Sequence, residues 1–67
     1  MKVLIIEDEL KAVSALKQEI KLHCPELEVL DFAQSVKSGL GKIKTMHPDL
    51  IFLDIQLSDG SGFDILE

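Results

Sequence analysis

Two stretches of the chain are apolar without interruption, and each runs into acid. Val3-Leu4-Ile5-Ile6 is followed by Glu7-Asp8-Glu9, and Leu50-Ile51-Phe52-Leu53 by Asp54. Runs of this length and bulk suit strands covered on both faces, as in parallel sheets flanked by helices. Between them the period changes. From Glu9 to His23, Leu10, Val13, Leu16, Ile20 and Cys24 recur at three- and four-residue steps, which predicts an amphipathic helix with Lys11, Lys17, Gln18 and Lys21 turned mostly to water. Asp8 or Glu9 suits the positive end of that helix, and Pro25 stops it. Leu27 to Phe32 then predicts a short strand before the polar pair Gln34-Ser35. A second helix is expected with Ser35 as N-cap and Val36, Leu40, Ile43 and Met46 along one face. Gly39 and Gly41 each cost it about 1 kcal/mol relative to alanine, so docking must hold it. His47-Pro48-Asp49 breaks the pattern. Leu50 to Asp54 forms a third strand, Ser58 to Gly62 a loop, and Phe63 to Glu67 the start of a third helix.

With right-handed crossovers, this order of strand, helix, strand, helix, strand is a parallel α/β unit. A doubly wound fold adds further strands beyond such a point, so the chain is expected to be about half of one. Composition narrows the class. With 67 residues there is at most one small domain, and a chain of this size buries only about 60% of the surface its unfolded form exposes. Cys24 is the one cysteine, which excludes an internal disulfide, fits a reducing, cytoplasmic compartment, and makes it a small apolar filler. There is no signal-like start and no apolar stretch long enough to span a membrane. A net charge of −5 with no arginine argues against this segment gripping a nucleic-acid backbone, so any DNA contact is expected from another domain.

Ligand crevices of open α/β sheets lie at the carboxyl ends of the strands, so Glu7, Asp8 and Asp54 meet there if the first and third strands are neighbours. Carboxylates so close repel unless a cation joins them. Mg²⁺ is the natural candidate, because it takes hard oxygen ligands and binds through one or two carboxylates plus phosphate. A carboxylate can also be the nucleophile that accepts a phosphoryl group. Asp54, at the tip of the more apolar strand, suits that role, while Glu7 and Asp8 suit a metal-holding shell, and the backbone carbonyl of Gln56 can complete the coordination. Asp59 before Gly60 reads as turn chemistry. His23 and His47 have no second ligand at metal spacing and read as solvated; Asp31, Asp49 and Asp64 read as surface or capping acids.

At these residues the sequence closely resembles the receiver domain of bacterial two-component response regulators. The resemblance rests on Val3-Leu4-Ile5-Ile6-Glu7-Asp8-Glu9, on His47-Pro48-Asp49-Leu50-Ile51-Phe52-Leu53-Asp54-Ile55 and on Asp59-Gly60-Ser61-Gly62-Phe63. It implies a flavodoxin-like parallel sheet, cut to about the first three strands and two helices, in which a sensor histidine kinase passes its phosphoryl group to Asp54. It also implies that Glu7 and Asp8 arrange Mg²⁺, with Asp54 and the Gln56 carbonyl as further ligands. The stretch from Asp54 to Phe63 is most similar to receivers attached to LytTR-type DNA-binding domains, which would make the intact protein a transcriptional regulator. Ser58 stands where the family usually has proline. The family's switch serine or threonine and its phosphoryl-contacting lysine lie on later strands, so a chain without them should transfer slowly.

Two other functions compete. A Mg²⁺-dependent phosphotransferase or phosphatase would use Asp54 with turnover, but such enzymes usually carry a second acid two residues on, and Gln56 cannot donate and recover a proton. A non-catalytic interaction fragment would use the acids only as caps. Either way, an apolar third strand at a sheet edge invites pairing with another chain, so self-association is expected.

Overall fold

The computed structural model describes residues 1–54, 56–57 and 59–66. Its centre is a three-stranded parallel sheet with β1 (Lys2–Ile6) between β2 (Glu28–Ala33) and β3 (Leu50–Leu53), in the order β2-β1-β3. The adjacency of the first and third strands, on which convergence of the acids depends, is therefore present. Helix α1 (Leu10–His23) covers one face of the sheet, and α2 (Val36–Met46) with α3 (Gly62–Leu66) covers the other. Ser58 and Glu67, where the expected loop begins and the expected third helix runs on, lie outside the described residues.

Val3, Leu4, Ile5 and Ile6 are each wholly buried, because side chains alternate across a strand and here both sides are covered. Val3 and Ile5 pack with Val13 and Ile20 of α1, joined by Leu16, Cys24, Leu27, Val29, Phe32 and Phe52. Leu4 and Ile6 pack with Ala33 and Leu57, joined by Val36, Ile43, Ile51, Leu53 and Ile65. Full burial of each aliphatic side chain contributes about 1.5–3 kcal/mol, an upper figure for a chain whose unfolded state is partly collapsed. The uninterrupted apolar run is thus explained by two half-cores that share one strand.

The helices begin and end for local reasons, with differences from expectation. Glu9 occupies the N-cap position of α1, yet its side chain makes no capping bond, and Leu10 is 55% exposed and so belongs to no packed stripe. The face that packs starts at Val13. For α2 the expected boundaries hold: the Ser35 hydroxyl accepts from the Ser38 amide at 3.0 Å, and His47 closes the helix in the left-handed conformation, φ 49°, ahead of Pro48. β2 starts at Glu28, one residue later than expected, since Leu27 is held in the turn by its amide on the Cys24 carbonyl. Along β1 the pairing slips between Val3 and Leu4, so Leu30 is extra and Asp31 turns toward α2, where Lys42 meets it at 2.9 Å. That contact holds the Asp31 carboxyl below its ordinary range, chiefly through the Lys42 hydrogen bond.

One element was not expected. The segment after Asp54 contains a small antiparallel hairpin, β4 (Gln56–Leu57) against β5 (Gly60–Ser61), with Asp59 at its turn and Leu57 buried beneath it. Two-residue strands carry no periodicity that a sequence can display.

The two weak points of α2 have different surroundings. A Cβ added at Gly41 meets nothing within 4 Å, whereas one at Gly39 lies 2.8 Å from the Ile6 Cδ1 and 3.3 Å from the Ile65 Cδ1. Gly41→Ala is therefore expected to stabilise the chain by about 0.5–1 kcal/mol, and Gly39→Ala to gain less or to lose, because Ile6 is wholly buried and has little room to yield. Denaturant unfolding of both variants checks this; Gly39→Ala as the more stable of the two would contradict the packing described.

Candidate functional site

The sheet's own hydrogen bonds carry the chain to the site. In register, Ile6 lies opposite Leu53, and the Asp54 amide continues the ladder by donating to the Ile6 carbonyl at 2.9 Å. On the other side, the Glu7 amide donates to the Ala33 carbonyl at 2.8 Å. Glu7 and Asp54 thus leave the ends of adjacent parallel strands, at the carboxyl edge where a doubly wound sheet opens. The opposite edge is pinned by Asp49, which donates its amide to the Lys2 carbonyl and accepts the Lys2 amide on its carboxylate, each at 2.8 Å.

The carboxylates of Glu7, Asp8 and Asp54 converge as the spacing requires, with one oxygen of each within 4.8 Å of the others. Glu7 and Asp54 are half-buried and Asp8 is exposed, so the cluster is anchored on apolar packing and open to solvent on one side. Beneath it lies a cavity of about 300 Å³ lined by Ile5, Ile6, Glu7, Leu16, Phe52, Leu53 and Asp54. Loop positions are fixed from two directions: the Glu9 amide donates to the Glu7 carboxylate at 3.2 Å, and the Gln34 side chain donates to the Asp8 carbonyl at 3.2 Å.

The electrostatics follow from this crowding. Burial pushes the Glu7 carboxyl above its ordinary value, the Glu9 amide opposes that rise, and the neighbouring Asp8 and Asp54 carboxyls add to it. Three acids crowded together in this way form a donor set that fits a hard divalent cation. Glu7, Asp8 and Asp54 are the residues that would hold it. Gln56 enters β4 two residues after Asp54, with its backbone paired to Ser61.

Other acids have structural partners that the sequence did not reveal. Asp59 does sit in a turn, as its position before Gly60 suggested, but its carboxylate reaches 23 residues back to accept the Val36 amide at 2.7 Å, and it also takes the Lys37 amide at 3.1 Å. Those amides hold its carboxyl below the ordinary range. Asp64 accepts the Ser61 amide at 2.9 Å. His23 is exposed beside Glu19 at 3.4 Å, and His47 is exposed at the end of α2, so neither joins the acidic cluster.

Comparison with known proteins is consistent with this geometry. A family model for the response regulator receiver domain matches residues 3–67. The sensory transduction protein LytT of Bacillus cereus is 40% identical over 65 residues, 97% of this chain and 26% of that protein. LytT of Enterococcus faecalis is 40% identical over all of this chain and 27% of its own length. The chain thus spans about a quarter of the length of these relatives. A protein-glutamate methylesterase/protein-glutamine glutaminase of Desulfotalea psychrophila is 39% identical over 70 residues, 18% of its length. Among solved structures, a signal receiver domain from Vibrio parahaemolyticus superimposes with a TM-score of 0.85 at 29% identity, covering 97% of this chain and 48% of that one.

The raised Glu7 pKa has a defined effect on stability. The folded state holds the Glu7 proton more tightly than the unfolded state does, so this contribution is complete below the unfolded pKa and is lost as the pH rises through the folded one. Glu7→Gln keeps an acceptor for the Glu9 amide and removes the charge. In metal-free buffer it should melt higher than the parent at neutral pH, with the difference shrinking as the medium is acidified toward the ordinary glutamate pKa. Equal melting temperatures at neutral pH would show that the charged Glu7 carboxylate does not destabilise the fold.

Proposed function

This chain belongs to the response regulator receiver domain family, and from that premise we propose that Asp54 is its phosphoacceptor and that Glu7, Asp8, Asp54 and the Gln56 backbone carbonyl hold a Mg²⁺ ion. The observation that carries the reading is the convergence of the three carboxylates at the carboxyl ends of β1 and β3. The donor is a phosphohistidine of a sensor histidine kinase, as the family implies. An Asp54 carboxylate oxygen attacks phosphorus, the phosphorus–nitrogen bond breaks as the phosphorus–oxygen bond forms, and the imidazole departs with the electron pair and takes up a proton. The product is an acyl phosphate on Asp54. When bound, Mg²⁺ supplies positive charge against the oxygens of the transferring group.

The chain's own residues do the positioning. The Asp54 amide on the Ile6 carbonyl and the packing of Leu53 fix where that carboxylate starts, and the half-buried setting limits its directions. Glu7 and Asp8 supply the negative charge that selects a divalent cation. Gln56 offers no acid two residues beyond the nucleophile, which supports stoichiometric acceptance over rapid turnover. The intact protein, by its likeness to LytT proteins, is proposed to be a cytoplasmic transcriptional regulator whose DNA contacts lie outside this segment.

Intact-mass analysis after incubation with acetyl phosphate and Mg²⁺ tests the reading. The parent should gain the mass of one phosphoryl group, slowly, and Asp54→Asn or omission of Mg²⁺ should abolish the gain. Unlabelled parent, or continued phosphate release over many turnovers, would defeat it.

A further expectation concerns β3. Among the described residues it pairs with β1 on one side, and it carries Leu50, 37% exposed, next to half-buried Ile51, Phe52 and Leu53. The 67-residue chain is therefore proposed to self-associate through the outer edge of β3. Sedimentation should show dimers or larger species whose fraction rises with concentration, and a concentration-independent monomer would refute it.

A further inference from the structure

The Asp54 segment is pinned at both ends, and the second pin is a residue that the phosphoacceptor reading does not use. At its start the Asp54 amide is locked to the Ile6 carbonyl at 2.9 Å. Five residues later the Asp59 carboxylate straddles the first two amides of α2, Val36 at 2.7 Å and Lys37 at 3.1 Å. Between the pins lies β4, and Asp59 itself sits at the turn into β5; among the described residues the ladder joins Gln56 to Ser61 and Leu57 to Gly60. Two paired residues per strand hold little structure on their own. Burial of Leu57 fixes one side chain, and the Asp59 bridge fixes the turn.

Helix α2 is itself tied to the site. Its N-cap follows Gln34, whose side chain holds the Asp8 carbonyl, and Gly39 seats the helix on Ile6, the residue before Glu7. Ser35 already caps the Ser38 amide, so the start of α2 has a local cap as well as the distant one. The Asp59 bridge thus does more than close a helix end. It links the segment carrying Asp54 and Gln56 to the helix that packs on Ile6 and that follows Gln34, the partner of the Asp8 carbonyl.

We propose that Asp59 is a positioning residue for the metal and phosphoryl site, fixing the Gln56 backbone against Glu7, Asp8 and Asp54 by anchoring the hairpin turn to the N-terminus of α2. This rests on the reading that Asp54 accepts phosphate and that the Gln56 carbonyl is a metal ligand. Asp59 touches neither the metal nor the transferring group, and acts through the hairpin that carries Gln56.

The test compares the parent with Asp59→Ala, Asp59→Asn and Ser35→Ala, measuring Mg²⁺ affinity by calorimetry and the rate of Asp54 labelling by acetyl phosphate. Asp59→Ala should weaken Mg²⁺ binding on the order of 10-fold, the lower end of what loss of an outer-shell partner costs. Asp59→Asn, which keeps an acceptor for one of the two amides, should fall between the two. Ser35→Ala removes the local cap of the same helix without touching the hairpin, so it should lower the melting temperature and leave Mg²⁺ affinity unchanged. Should Asp59→Ala not hold its fold, the Asp59→Asn comparison stands in for it. Parent-like Mg²⁺ affinity in both Asp59 variants, or an equal loss in Ser35→Ala, would overturn the proposal. A parent that neither binds Mg²⁺ nor labels at Asp54 is a different result, and overturns the phosphoacceptor reading itself.

Discussion

Burial of β1 on both faces is the constraint from which the rest follows. Four consecutive side chains with no measurable exposure need two separate apolar layers, so the chain must send one helix to each side of the sheet. Parallel neighbours on both edges satisfy the backbone of a strand that cannot reach water. Once β1 is central, its carboxyl end lies beside that of β3. The place where burial stops is then the place where charge collects.

The acidic cluster gathers charge against apolar packing. Three carboxylates come together at the end of a wholly buried strand; burial is the chief cause of the raised Glu7 pKa, and the neighbouring Asp8 and Asp54 carboxyls add to it. Such a donor set fits a hard divalent cation.

Much of the fold is legible because its periodicities are strong. The apolar run of β1, the spacing Val13-Leu16-Ile20 in α1, and Ser35 ahead of α2 each report a local preference that tertiary packing reinforces. Leu10 misleads, since it keeps the helical spacing yet lies at the first position of α1, beyond the reach of the sheet, and is left exposed. The β4–β5 hairpin is too short to have a period. Asp59 before Gly60 carries a turn signal that is true, but its carboxylate's partners are amides 22 and 23 residues away, and no local pattern encodes such a distance. Asp31 is similar: a slip in the ladder at Leu30, invisible in composition, turns it toward Lys42.

The amino-acid order alone determined the parallel α/β character, the principal helix and strand positions, and the chemical identity of the acids that end the two apolar strands, because each is written in near-neighbour residues. Only the tertiary structure decided that Glu7, Asp8 and Asp54 lie within 4.8 Å of one another, and that Asp59 closes the far end of the Asp54 segment. The reason is that these relations depend on strand order and register, which are set by which faces can be buried together and not by any residue's immediate neighbours.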